Sequence, residues 1–156
     1  MSRYHIDGRG VPSVTEIIQE MLGGWFPNDQ WYLDRGTAVH ACMEMICTNK
    51  DFSYAPELEG YVQAGRNFMQ DVMPEILDTE TEVKSVVYQY GGRYDARLKL
   101  NGRVCLVDWK TNAFDLERVT LQLAGYAIAY GTNAPTVGSR LLSTMTGHIR
   151  QAGSWT

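Results

Sequence analysis

Two aspartates and a lysine flank a single turn signal. Asn101-Gly102 is the strongest short-range mark of a two-residue hairpin loop. Such a loop sets Leu100 opposite Arg103, and each step outward adds a pair. Asp95 then falls opposite Asp108 on one face, with Cβ atoms roughly 4.5–5.5 Å apart if no bulge intervenes. Two like charges so placed destabilise a sheet unless one takes up a proton or a cation sits between them. Magnesium suits the position, because it takes one or two carboxylates together with water and substrate phosphate. Lys110 follows two residues after Asp108, which puts its ammonium on the same face. Trp109, between them, points into the core while its backbone carbonyl stays within reach of a metal. The same residues also fit plain strand-end salt bridges, Asp95 and Asp108 with Arg97 and Lys110.

The flanking elements must hold this hairpin in place. Arg93 to Leu100 alternates, with Tyr94, Ala96, Leu98 and Leu100 on one side and Arg93, Asp95, Arg97 and Lys99 on the other. Arg103 to Lys110 is the returning strand. Upstream, Thr79 to Tyr90 is rich in Val, Thr and Tyr and reads as a strand, with Gly91-Gly92 as the turn after it. Ser13-Val14-Thr15-Glu16 has the form of a capping box, opening a short helix with Ile17, Ile18, Met21 and Leu22 on its apolar face and Gly23-Gly24 at its end. A second helix is expected from about Asp34 to Thr48, with Ala38, Ala41, Cys42 and Met45 on its apolar side. A loop follows from Asn49 to Pro56. A third helix runs from about Glu57 into the 70s on Tyr61, Ala64, Phe68 and Val72, and Pro74 bends or ends it. After the hairpin, Leu116 to Tyr130 reads as a helix packing Leu121, Ala124, Gly125 and Ile128 inward. Residues 136–145 offer a last strand, and Thr146 to Thr156 has little pattern. The fold class is α/β with a mixed central sheet. The organisation is one domain over 1–156: a mainly helical part at 1–78, the catalytic sheet and helix at 79–145, and a tail at 146–156.

Composition narrows the function classes. The chain has 156 residues, 44% hydrophobic and 21% charged, close to the soluble globular average. No apolar run approaches the roughly 18 residues of a membrane span, and no apolar stretch follows the N-terminus as in a signal peptide. A cytoplasmic location and no membrane partner are therefore expected. Cys42, Cys47 and Cys105 are three, without a Cys-x-x-Cys pair, which argues against a disulfide framework, a zinc site or a four-cysteine iron–sulfur cluster. They read as small buried apolar residues. The net charge is −4, unevenly spread: residues 1–84 carry 6 Lys+Arg against 14 Asp+Glu, and residues 85–156 carry 8 against 4. The half that holds the hairpin is the basic one, which is compatible with a polyanion on one face and also with an ordinary solvated face.

Asp95, then Asp108-Trp109-Lys110-Thr111, then Gln122-Leu123-Ala124-Gly125-Tyr126 together resemble the PD-(D/E)XK nuclease superfamily, in particular its RecB-like branch of phage and mitochondrial-type exonucleases. Gly36-Thr37-Ala38-Val39-His40 matches that branch's upstream helix pattern, and Pro12 to Thr15 matches a segment common near its start. The resemblance runs from about residue 11 to 130. It implies a restriction-endonuclease-like α-β-β-β-α-β core. It also implies that His40, Asp95 and Asp108 bind the metal and that Lys110 positions or activates water. Gln122 and Tyr126 share a helix face and, by the resemblance, contact the lysine or the DNA backbone; on pattern alone they are equally a polar rim. The chain departs from the branch in lacking the iron–sulfur cysteines of some members and in its basic segment from Ser139 onward.

The implied function is a magnesium-dependent deoxyribonuclease, with manganese able to substitute. The form expected is an exonuclease acting in replication, recombination or repair in a bacterial or phage-infected cell. The alternatives are a non-catalytic DNA-binding or assembly protein on the same scaffold, and a structure-specific or restriction-type endonuclease. DNA is the expected partner, with a homo-oligomer or a recombination or single-strand-binding protein as further ones. Glu44 lies one helical turn beyond His40, where it supports the histidine or the metal or is merely solvated. Glu80 and Glu82 both lie on the first strand of the meander, and the sequence does not choose between them. Arg35, Arg93, Arg97, Lys99 and Arg118 are candidate phosphate contacts or plain surface charge, and Thr111, just past the returning strand, is a further candidate phosphate contact. Trp25, Phe26, Trp31 and Tyr32 are candidates for base stacking, or core.

Overall fold

A computed structural model describes residues 2–23, 30–111, 116–131 and 136–140, with side chains for all of these except 31, 32, 116 and 136–140. The N-terminus opens with a small hairpin, β1 (Tyr4–Ile6) and β2 (Arg9–Val11). The helices α1 (Val14–Leu22), α2 (Gln30–Cys47) and α3 (Glu59–Val72) follow, with a 3-10 turn at Pro56–Leu58 leading into α3. Then come β3 (Glu75–Ser85), β4 (Tyr90–Leu100), β5 (Arg103–Lys110), α4 (Leu116–Tyr130) and β6 (Thr136–Arg140). The four long strands form one sheet in the order β3-β4-β5-β6, antiparallel until β6, which runs parallel to β5. The class is α/β with a mixed sheet.

Local chemistry explains most of these boundaries. Ser13 Oγ accepts from the Glu16 N–H at 3.1 Å, and the Glu16 carboxylate accepts from the Ser13 N–H at 2.8 Å, so the capping box is complete. Gly23, at φ +80, ends α1. α3 stops at Met73, whose φ is 46, because a residue before proline is kept out of the helical region. Asn101 and Gly102 both take positive φ, as a type I′ turn requires, and set Leu100 opposite Arg103.

Several expectations are corrected. The strand expected over Thr79 to Tyr90 runs over Glu75–Ser85 instead, so the helical part ends earlier than residue 78. The turn lies at residues 86–89, where Val86, Val87 and Tyr88 stand exposed. Gly91 and Gly92 are no turn but part of β4. A Cβ on Gly91 would meet the Tyr4 ring at 2.5 Å, and one on Gly92 the Tyr126 ring at 2.6 Å. Glycine in these strand positions serves close approach. α2 starts at Gln30, not Asp34, and buries Val39, Cys42, Met43 and Cys47 while Ala41 is exposed. Met21 points to solvent. α4 has the expected limits but rests on Val119, Leu123 and Tyr126, leaving Ala124 and Ile128 exposed. Apolar residues surround that helix, so periodicity alone could not choose the face. Residues 141–156 and the aromatics Trp25 and Phe26 lie outside the described residues, as do the side chains of Trp31 and Tyr32.

Two cores flank the sheet. α2 and α3 pack on Ala96, Leu98, Leu100, Cys105, Val107 and Trp109. α1 and α4 pack on Val83, Tyr90, Tyr94 and Leu106. Tyr94 and Ala96 therefore belong to opposite cores although they are two residues apart, so the simple alternation expected along β4 breaks at Asp95. β3 breaks at the same level. Its register runs Thr79↔Ala96 and Thr81↔Tyr94 without a Glu80–Asp95 pair, and Glu80 holds φ 47. Among the described residues no helix is long and apolar enough to cross a membrane.

Candidate metal centre

The site forms where the sheet opens. The β4–β5 ladder ends at Ala96↔Val107, one pair short of Asp95 and Asp108. Asp95 instead turns its carboxylate onto the backbone of β5, and Oδ2 accepts from the Trp109 N–H at 2.6 Å. The hairpin register thus brings the two aspartates together as expected, but not as a regular cross-strand pair. His40 reaches the same oxygen from α2, with Nε2 3.0 Å from Asp95 Oδ2. Among the described residues, ligand atoms of His40, Asp95 and Asp108 form a group lying within 4.8 Å of one another.

The electrostatics of this group are those of a site short of positive charge. Asp108 is only 3% exposed. Its carboxyl is raised above the ordinary range, first by burial and then by the neighbouring Asp95 charge, against the pull of Lys110. Lys110 Nζ lies 2.8 Å from Asp108 Oδ2, yet that buried oxygen accepts no well-aligned hydrogen bond among the described residues. Burial works against the charged form of His40, but the Asp95 carboxylate and the Gly36 carbonyl outweigh it and lift its pKa from 6.5 to about 9. Both ring nitrogens face oxygens, Nε2 toward Asp95 and Nδ1 toward Gly36 at 2.7 Å; a carbonyl only accepts, so Nδ1 carries a proton and Nε2 is the nitrogen turned to the carboxylates. One imidazole nitrogen and two carboxylates fit a divalent cation. The carboxylates suit magnesium, and the imidazole is also tolerated by manganese.

α4 sets the lysine. Lys110 Nζ donates to Gln122 Oε1 at 2.9 Å. An ammonium can only donate, so the amide must present its oxygen to Lys110, and its NH2 then donates to the Tyr126 hydroxyl at 2.8 Å. The Tyr126 ring fills the space that Gly92 leaves. Burial, then the Asp108 charge, pushes its phenol well up. Trp109 buries its indole edge-on to Phe68, with centroids 5.5 Å apart. Cys42, Cys47 and Cys105 are free and buried, and burial raises all three thiols, Cys47 to about 12.

A cleft of about 690 Å³ adjoins the group, with Arg3, His40, Glu44, Glu80, Arg93 and Tyr126 in its walls. Glu80 is therefore the first-strand acid at the site. Burial, then Asp95, raises its carboxyl. Glu82 lies away from it and pairs with Lys84 at 3.1 Å. Of the arginines named from the sequence, Arg93 alone is a wall of this cleft. Arg97 is committed to Asp78 at 2.7 Å and to the Tyr130 hydroxyl at 2.7 Å. Arg118 donates to the Gly23 carbonyl at 2.7 Å at the end of α1, and Arg35 stacks over Tyr61 at 5.6 Å. Lys99 is exposed on β4, and Thr111 is half-buried just past Lys110. The contribution of Arg3 and the first hairpin was missed in the sequence, although Asp7-Gly8 is itself a turn signal, and both residues take positive φ.

Compared with known proteins, the chain matches no family model and no curated protein.

Proposed function

We propose that this chain is a divalent-metal-dependent deoxyribonuclease that hydrolyses phosphodiester bonds. The observation that carries the reading is the convergence of His40, Asp95 and Asp108 within 4.8 Å, with Lys110 held beside them by Gln122. The order of elements from α3 to β6 is α-β-β-β-α-β, which supports the restriction-endonuclease-like core that the sequence resemblance implies. DNA as the substrate rests on that resemblance.

His40, Asp95 and Asp108 would hold magnesium or manganese, and Glu80 stands close enough in the cleft to add charge. The ion would supply electrophilic stabilisation of the phosphoryl oxygens and acidify water. The protein does the rest. Asp95 is fixed by the Trp109 N–H, and the Gly36 carbonyl takes the Nδ1 proton of His40, which leaves Nε2 facing the ion site. Lys110, fixed by Gln122, presents an ammonium that orients the attacking water and offsets charge developing on phosphorus. The water oxygen bonds to phosphorus as the bond to the leaving oxygen breaks, the water's proton passes to solvent, and the leaving oxygen takes a proton from solvent.

The test is incubation with linear and circular DNA, single- and double-stranded, in magnesium and in EDTA. Cleavage in magnesium that vanishes in EDTA and in an Asp108→Ala variant is expected. No cleavage by the unmodified chain, or equal cleavage by Asp108→Ala, overturns the reading.

A further inference from the structure

The cleft beside the metal ligands has a feature that the ligands do not explain. Its volume, about 690 Å³, lies within the range of small-molecule sites and suits a nucleotide rather than a duplex. Glu16, Glu44, Glu80 and Asp95 line the cleft, and Arg3 and Arg93 supply positive charge to the same wall. The Nε of Arg93 is buried and has no hydrogen-bond partner among the described residues. A buried guanidinium N–H without an acceptor is costly, so no described residue offsets the Arg93 charge at that atom. Arg93 is half-buried and lines the cleft, and an anion there would meet the accessible part of its guanidinium.

The first hairpin meets the cleft through Tyr4, and Arg3 just before it lines the same wall. Tyr4, Ile6 and Val11 form their own small core, and the Tyr4 ring lies against Gly91, two residues before Arg93. The Gly91 N–H donates to the Pro12 carbonyl at 3.0 Å, tying the segment after the hairpin to β4. Arg3, immediately before β1, stacks on the Tyr4 ring at 5.8 Å and remains exposed to the cleft.

We propose that this cleft is an end-binding subsite: it takes the terminal nucleotide of a DNA strand, with a backbone phosphate between Arg3 and Arg93, and the β1–β2 hairpin stops the strand from passing through. The proposal rests on the nuclease reading and makes the enzyme an exonuclease by construction of its cleft. Charge-assisted hydrogen bonds to phosphate are the strong kind, so losing one arginine should cost about tenfold in affinity.

The experiment compares a linear single-stranded oligonucleotide with a covalently closed circle of the same sequence. Binding is read by fluorescence anisotropy in calcium, and cleavage in magnesium. The unmodified chain should bind the linear strand at least about tenfold more tightly and cut it alone. Arg3→Ala and Arg93→Gln should each weaken linear binding about tenfold, leave circle binding unchanged and keep the melting temperature, with Arg93→Lys recovering part of the loss. If Arg93→Gln unfolds the chain, exposed Arg3 decides. Cutting of the circle as fast as the linear strand overturns the subsite and leaves the nuclease standing, as does linear affinity indifferent to both arginines. End-selective, arginine-dependent binding without any cleavage upholds the subsite and overturns the nuclease. Binding of neither DNA overturns both.

Discussion

Asp108 sits at 3% exposure with a second carboxylate beside it, and this gives its substitution opposite effects on activity and stability. Asp108→Asn keeps the shape and removes the repulsion. Metal-dependent cleavage should fall by at least about a hundredfold, the scale of losing a group that stabilises developing charge, while the metal-free protein should melt at a higher temperature. A lower melting temperature in EDTA would show that the Lys110 contact outweighs the repulsion. The two perturbed groups also set a pH dependence. His40 has its pKa raised from 6.5 to about 9, so its pairing with Asp95 stabilises fully below pH 6.5 and is lost as pH rises through about 9. The raised Asp108 carboxyl acts in the same direction at lower pH, because the fold favours its neutral form. Thermal melts in EDTA should therefore fall between pH 6.5 and 9. Magnesium or manganese should restore stability increasingly over that window, since metal ligation needs both groups deprotonated. A metal-free protein that gains stability with pH there would contradict the ion pair.

At the scale of elements, two glycines make contrasting predictions. Gly92 lies where a Cβ would meet the Tyr126 ring at 2.6 Å. Gly92→Ala should cost about 1–3 kcal/mol in chemical denaturation by overpacking, and should lower activity by displacing Tyr126 from Gln122. Gly36 lies inside α2 with nothing within 4 Å of an added Cβ. Gly36→Ala should stabilise by about 0.5–1 kcal/mol on helix propensity. Because Gly36 also lines the cleft, activity should fall nonetheless. The Asn101-Gly102 loop, the capping box at Ser13 and the span of α4 were legible in the sequence because each rests on local chemistry. The hairpin also put Asp95 and Asp108 together correctly. What was not legible is non-local. The break in alternation at Asp95 coincides with Glu80 at φ 47 on the neighbouring strand, and the glycines at 91 and 92 answer to rings from β1 and α4. The turn at residues 86–89 misled because Val86, Val87 and Tyr88 have strand propensity but no turn chemistry.

For the whole molecule, the centre joins two cores. His40 comes from the helix layer that packs with Trp109, and Lys110 is held by the layer containing Leu123 and Tyr126. The exposed tip between β3 and β4 belongs to neither core, and Val87 is 83% exposed. Val87→Lys should therefore change unfolding free energy by no more than about 0.5 kcal/mol. A larger loss would mean that the tip supports one of the cores.

Strand pairing beyond Val107 is completed by a side chain, since Asp95 Oδ2 takes the Trp109 amide proton. A backbone amide in the hydrophobic interior is thereby wired to the charge of the centre. Its proton resonance should lie far downfield in the metal-free protein, and should shift upfield with faster solvent exchange as magnesium draws on that carboxylate. One amide signal, followed by NMR, would then report occupancy of the centre without any substrate present. A Trp109 amide that stays still throughout a magnesium titration would show that Asp95 keeps its hold on the strand and leaves the ion to others.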